Sequence, residues 1–129
     1  MNGYLIDSSV FVAILRGKEE AGVLLASLEG RLTTSSVCIG ELYEGIFRSI
    51  KKTENEKSFL NLLSTLDEII PFGTKEAKLF GQLKVDLKRK PIPDLDAQIA
   101  ATCLEHKMTL ITYDTQHFDN ITNLSIHIK

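Results

Sequence analysis

Short apolar runs alternate along the chain with longer stretches in which apolar residues recur at helical spacing. Tyr4-Leu5-Ile6 is such a run, ending at Asp7, and Ser8-Ser9 then leads into VFVAILR, which reads as a strand whose end feeds a helix. The pattern predicts a second helix from Lys18 to Leu28, closing at Gly30, and a strand from Leu32 to Ser35. Ser36 is placed to cap a long helix whose Ile39, Leu42, Tyr43, Ile46, Phe47 and Ile50 form the clearest stripe in the chain. After the polar stretch Lys51 to Lys57, Phe59, Leu62, Leu63 and Leu66 predict another amphipathic helix, followed by a strand over Glu68 to Phe72. Thr74 opens a helix running toward Lys90, which Pro91 and Pro93 stop; Asp94 is placed to cap the next one. Thr109 to Thr112 and Leu124 to Ile128 supply the last two strands. Such alternation favours an α/β fold of three layers, a parallel sheet of about five short strands flanked by helices. In sheets of that kind functional groups gather outside the carboxyl ends of the strands.

Composition narrows the partners and the compartment. At 129 residues and 43% hydrophobic content, residues 1–129 are expected to be one domain with a core that needs no disulfide or structural metal. Lys and Arg number 15 against 17 Asp and Glu, so a net charge of -2 gives no overall pull toward nucleic acid, and any such role must rest on local patches. Cys38 and Cys103 lie far apart in apolar helical contexts, which favours reduced, buried thiols and hence a cytoplasmic protein. MNGYLIDSSV has no cationic region before its apolar run, and no segment approaches the roughly 18 apolar residues of a membrane span, so a soluble, unsecreted protein is expected.

The candidate chemistry is acidic. Asp7 and Asp114 follow predicted strands, and Asp96 lies in the first turn of a helix, on a face shared with Ile99, Ala100 and Cys103. A carboxylate on an inward face must be met by a hydrogen bond, a cation or a metal. Glu41 lies nearly opposite the Ile39 to Ile50 stripe, with Glu44, Gly45 and Arg48, so periodicity alone makes it solvated. Each acid also has a plain structural reading: Asp7 as a helix cap, Asp94 and Asp96 as helix-start residues, Asp114 as the start of a turn. Were they to converge, they would repel one another, and a divalent cation would remove the conflict. Oxygen-only ligands suit magnesium or manganese, an ion able to activate water and neutralise charge on a phosphodiester.

LIDSSVFV, SSVCIGELYEGI, PIPDLDAQIAATCLEH and TLITYDTQHF, in that order and spanning nearly the whole chain, resemble the PIN-domain ribonucleases of the VapC toxin type. The resemblance implies a PIN-like fold and carries the family's acidic positions onto Asp7, Glu41, Asp96 and Asp114, the first three as metal ligands and Asp114 in support. It thereby moves Glu41 from bystander to site residue. Ser8 or Ser9, and Thr112, match small hydroxyl positions that could orient water. It implies Mg2+ or Mn2+ as cofactor, an RNA substrate cut at its phosphodiesters, a cognate antitoxin that holds the enzyme inactive, and a homodimer. Arg48, Lys51 and Lys52 are the candidate RNA contacts, with Lys84, Lys88, Arg89 and Lys90 as a second cluster that reads equally as a solvated helix end. His117 reads as a packing or capping residue of the HF turn.

Three competitors remain at this level. A housekeeping RNA-processing nuclease would share the chemistry. A receiver-like signalling module needs an acidic pair near the first strand and a Lys ending the last, whereas Asp7 is followed by serines and the last strand reads LSIHIK. A degenerate, partner-binding PIN domain would be expected to have lost acidic positions, and all four are filled.

Overall fold

A computed structural model describes residues 3–127, which form five strands and seven helices. The order is β1 (Gly3–Ile6), α1 (Ser8–Leu15), α2 (Glu19–Ser27), β2 (Arg31–Ser35), α3 (Ser36–Arg48), α4 (Lys52–Leu63), β3 (Glu68–Ile70), α5 (Thr74–Asp86), α6 (Asp94–Glu105), β4 (Thr109–Ile111), α7 (Thr115–Phe118) and β5 (Ser125–His127). All the strand pairs are parallel, in the order β3-β2-β1-β4-β5.

Alternation along the strands sorts the core into two layers. Leu5 and Leu110 point to one face, where Leu83, Ile99, Cys103 and Phe118 from α5, α6 and α7 cover them. Ile6 and Ile111, one residue further on, point to the other, under Val10, Phe11, Leu24, Leu42, Ile46 and Phe59 from α1, α2, α3 and α4. Buried hydroxyls are satisfied in place: Thr33 and Thr34 of β2 donate to the carbonyls of Tyr4 and Ile6. The three-layer α/β expectation holds, with both faces of the sheet covered.

Several boundaries shift for local reasons. Ser35, not Ser36, caps α3: it ends β2 with extended backbone (φ -95, ψ 148), and its Oγ accepts from Val37 N at 3.0 Å. Ser36 Oγ instead accepts from Phe72 N at 3.1 Å. Asp94 is not a cap either; Pro93 occupies that position with extended geometry, and the Asp94 carboxylate pairs with Lys84 Nζ at 2.6 Å. The polar stretch from Lys51 is helical almost throughout, because it forms the outward first turns of α4. Phe47 and Ile50, expected in the α3 stripe, are exposed, Ile50 completely so. The helix α5 stops at Asp86 rather than Lys90, β3 and β5 are shorter than expected, and Ile128 lies outside the described residues.

Candidate active site

The strand order creates one switch point. From β1 the chain moves outward through β2 and β3, while β4 and β5 extend the other way, so a crevice opens beyond the carboxyl ends of β1 and β4. Asp7 follows β1 there, and its N–H continues the ladder to Ile111 O at 2.9 Å. Although Asp7 stands at the N-cap of α1, its buried carboxylate caps nothing. Oδ2 accepts from Thr112 Oγ1 at 2.7 Å and from Ser9 Oγ at 2.9 Å.

Glu41 reaches the same crevice because α3 starts from β2 without a loop and crosses the sheet edge. One side of α3 feeds Cys38 into the first core layer and another feeds Leu42 and Ile46 into the second. Glu41 is half-buried, and its Oε1 accepts from Ser8 Oγ at 3.0 Å. Burial raises its pKa first, and the charges of Asp7, Asp96 and Asp114 push the same way, against the Ser8 hydrogen bond. Asp96 has a side chain only 15% exposed, with Oδ2 lying 2.7 Å from Nδ1 of His117. Its pKa is likewise raised, chiefly by burial, with His117 opposing and Asp7 and Asp114 adding. Asp114, exposed at the N-cap of α7, stands at the margin, and its N–H donates to Thr112 Oγ1 at 3.0 Å.

The structure corrects one expectation about this cluster. It is not lined by oxygen alone: among the described residues, ligand atoms of Asp7, Cys38 and Glu41 lie within 4.8 Å of one another, a group that includes neither Asp96 nor Asp114. Burial, with the Asp7 charge behind it, pushes the Cys38 thiol up to about 12, so without a metal the sulfur keeps its proton, and the carboxylates are the donors that suit a hard ion. The hydroxyls, moreover, point at carboxylates. Ser9 and Thr112 give their single protons to Asp7, and Ser8 gives its proton to Glu41, so all three hold carboxylates in place.

Cys38 was legible as an i, i+3 neighbour of Glu41, and His117 as the residue three beyond Asp114, but their approach to the acids needed the fold. The basic residues lie outside the cluster: Arg48 pairs with Glu44 at 2.9 Å, and Lys51 and Lys52 are exposed. Arg16, not singled out by sequence, lines an open groove of about 340 Å³ with Val12, Leu15, Leu42, Gly45 and Ile46 that runs up to Glu41.

A parallel α/β sheet with an acidic cluster able to bind a metal at its switch point defines the class of molecule. The PIN-domain profile matches residues 4–124, and the chain belongs to that family. It is 30% identical over 128 residues to Ribonuclease VapC1 of Rickettsia felis, covering 96% of this chain and 94% of that one. The crystal structure of VapBC2 from Rickettsia felis bound to a DNA fragment from its promoter superposes with a TM-score of 0.86 at 26% identity, over 97% of each chain. A toxin-antitoxin complex from Klebsiella pneumoniae superposes with a TM-score of 0.79 at 26% identity, over 97% of this chain and 96% of that one.

Proposed function

We propose that the chain is a metal-dependent endoribonuclease, the toxin of a VapBC-type pair, in which Asp7, Glu41 and Asp96 hold Mg2+ or Mn2+ and Asp114 supports them. The observation that carries this reading is the convergence of Asp7, Glu41 and Asp96 on one crevice, with Glu41 and Asp96 both raised in pKa by burial and by the neighbouring acids. Such a set is strained by its own charge, and a divalent cation relieves it. The donor set fits a hard ion, since the carboxylate oxygens of Asp7, Glu41 and Asp96 predominate in it. When bound, the ion supplies Lewis acidity that lowers the pKa of water and offsets charge developing on a phosphodiester. The protein's part is to fix the carboxylates: Thr112 and Ser9 lock Asp7, and Ser8 locks Glu41.

Exposed Arg48, Lys51 and Lys52 at the turn between α3 and α4 are the proposed phosphate contacts of the RNA. The groove beside Glu41 has an apolar floor that suits a polypeptide, and we assign it to an antitoxin segment reaching toward the acids. Pairing with a second copy and residence in the cytoplasm complete the reading, in keeping with the two buried free thiols. No helix among the described residues is long and apolar enough to cross a membrane.

The test is cleavage of RNA by purified, antitoxin-free protein. Activity is expected with Mn2+ or Mg2+ and is expected to vanish in excess EDTA while the circular dichroism spectrum is kept; cleavage undiminished by EDTA would overturn the mechanism. Expression alone is expected to arrest growth and co-expression of the neighbouring antitoxin to rescue it. Harmless overexpression of soluble, cleavage-competent protein would assign the chain to RNA processing instead.

A further inference from the structure

We propose that His117 is a positioning residue for Asp96: its Nδ1 holds Oδ2 of that carboxylate and so fixes how Asp96 meets a divalent cation. The inference rests on the ligand set proposed above. Two observations carry it. Nδ1 is buried and, among the described residues, no hydrogen-bond acceptor is aligned with it. A buried donor without a partner is costly, so this one needs a recipient. Oδ2 of Asp96 lies 2.7 Å away, within ion-pair reach although off hydrogen-bond alignment, and a small rotation of either side chain completes the bond.

The ring is partly exposed, but the backbone that carries it is fixed. Its neighbour Phe118 is fully buried and anchors α7 in the core against α6, while Asp114 stands at the N-cap of the same short helix. The result couples two sequence segments of the site, the start of α6 and the turn of α7, which pack in the same core layer. Asp96 comes from the first turn of α6, is repelled by Asp7 and Asp114, and stands outside the tight Asp7 and Glu41 group. A donor on α7 restrains it, and with Oδ2 engaged, Oδ1 is the atom left for a cation. Partners of this kind set ligand orientation, and their loss typically costs about 10–100-fold in metal affinity.

The test separates a donor from a packing role. Mn2+ binding to the intact protein is measured by electron paramagnetic resonance of the free ion, with melting temperature in EDTA as the control for folding. His117→Asn keeps an N–H close to the Nδ1 position, whereas His117→Leu keeps the bulk and loses the donor. The expected result is a loss of about 10–100-fold in Mn2+ affinity for His117→Leu, near-native affinity for His117→Asn, and native-like melting of both in EDTA. If His117→Leu binds Mn2+ as the natural protein does, or if His117→Asn is as weak as His117→Leu, the positioning role is overturned. Should His117→Leu fail to fold, His117→Ala is read in its place by the same criteria. Asp96→Asn keeps the two failures apart: unchanged Mn2+ affinity in that variant brings down the ligand set itself, whereas weakened binding there with none in His117→Leu brings down only the role of His117.

Discussion

Asp94 and Asp96 share the first turn of α6 and differ in everything that matters to a carboxylate. Asp94 is exposed and pairs with Lys84 across to α5, the kind of surface contact worth about 0–1 kcal/mol. Asp94→Asn is therefore expected to leave RNA cleavage intact and to change unfolding free energy by no more than about 1 kcal/mol in urea titration. Asp96→Asn is expected to cut cleavage by at least about a hundredfold, the scale felt when a group at the reacting centre is lost. The reverse pattern, with Asp94→Asn dead and Asp96→Asn active, would displace the site from this crevice. The inward placement of Asp96 was readable because it depends only on helical geometry and on Ile99, Ala100 and Cys103 beside it. That of Glu41 was not: a wheel assumes one buried face, whereas α3 crosses the sheet edge and serves both core layers, leaving Phe47 and Ile50 outside and drawing Glu41 in.

At the scale of elements, two helices end in the same way with different residues. Gly17 closes α1 at φ 82, with its N–H on Ile14 O and the Lys18 N–H on Ala13 O. Lys107 closes α6 at φ 54, with its N–H on Leu104 O and the Met108 N–H on Cys103 O. A lysine pays the left-handed penalty that glycine avoids, partly offset by the greater freedom of glycine in the unfolded chain. Lys107→Gly is expected to stabilise the protein by about 0.5–1 kcal/mol in denaturant unfolding without changing cleavage. Just before that closure His106 Nε2 meets Glu76 Oε2 at 2.7 Å, and Glu76 Oε1 accepts from Gly73 N at 3.0 Å, so one carboxylate ties the start of α5 to the end of α6. Glu76→Ala leaves that amide and His106 without their partner and is expected to cost about 1–3 kcal/mol. The long helices and the strand alternation were legible in periodicity; the four-residue α7 was not, since one turn carries no period and is held by Phe118 rather than by propensity.

For the whole molecule, stability depends on pH in two opposed ways, one set by the burial that builds the site and the other by the hydrogen bonds that hold Glu76. Glu41 and Asp96 have folded pKa values above their ordinary 4.5 and 3.8, so the folded state holds their protons longer than the unfolded chain does. Stability from this source is complete below the ordinary carboxylate range and is lost as pH rises through the raised values. Glu76 works the other way. Burial opposes its ionisation, but its backbone hydrogen bonds and His106 outweigh that and hold it below 4.5, so its contribution is present above that value and lost as pH falls through the lowered one. The melting temperature in EDTA is thus expected to pass through a maximum in the acid range and to decline toward neutrality. Saturating Mn2+ is expected to remove the neutral-side decline, because it stabilises the ionised carboxylates, and to release protons on binding. Glu41→Gln combined with Asp96→Asn is expected to flatten the neutral limb without metal and to abolish the response to Mn2+, leaving the Glu76 limb in place. A neutral limb that persists in the double variant would mean that the carboxylate repulsion assigned to this crevice lies elsewhere in the molecule.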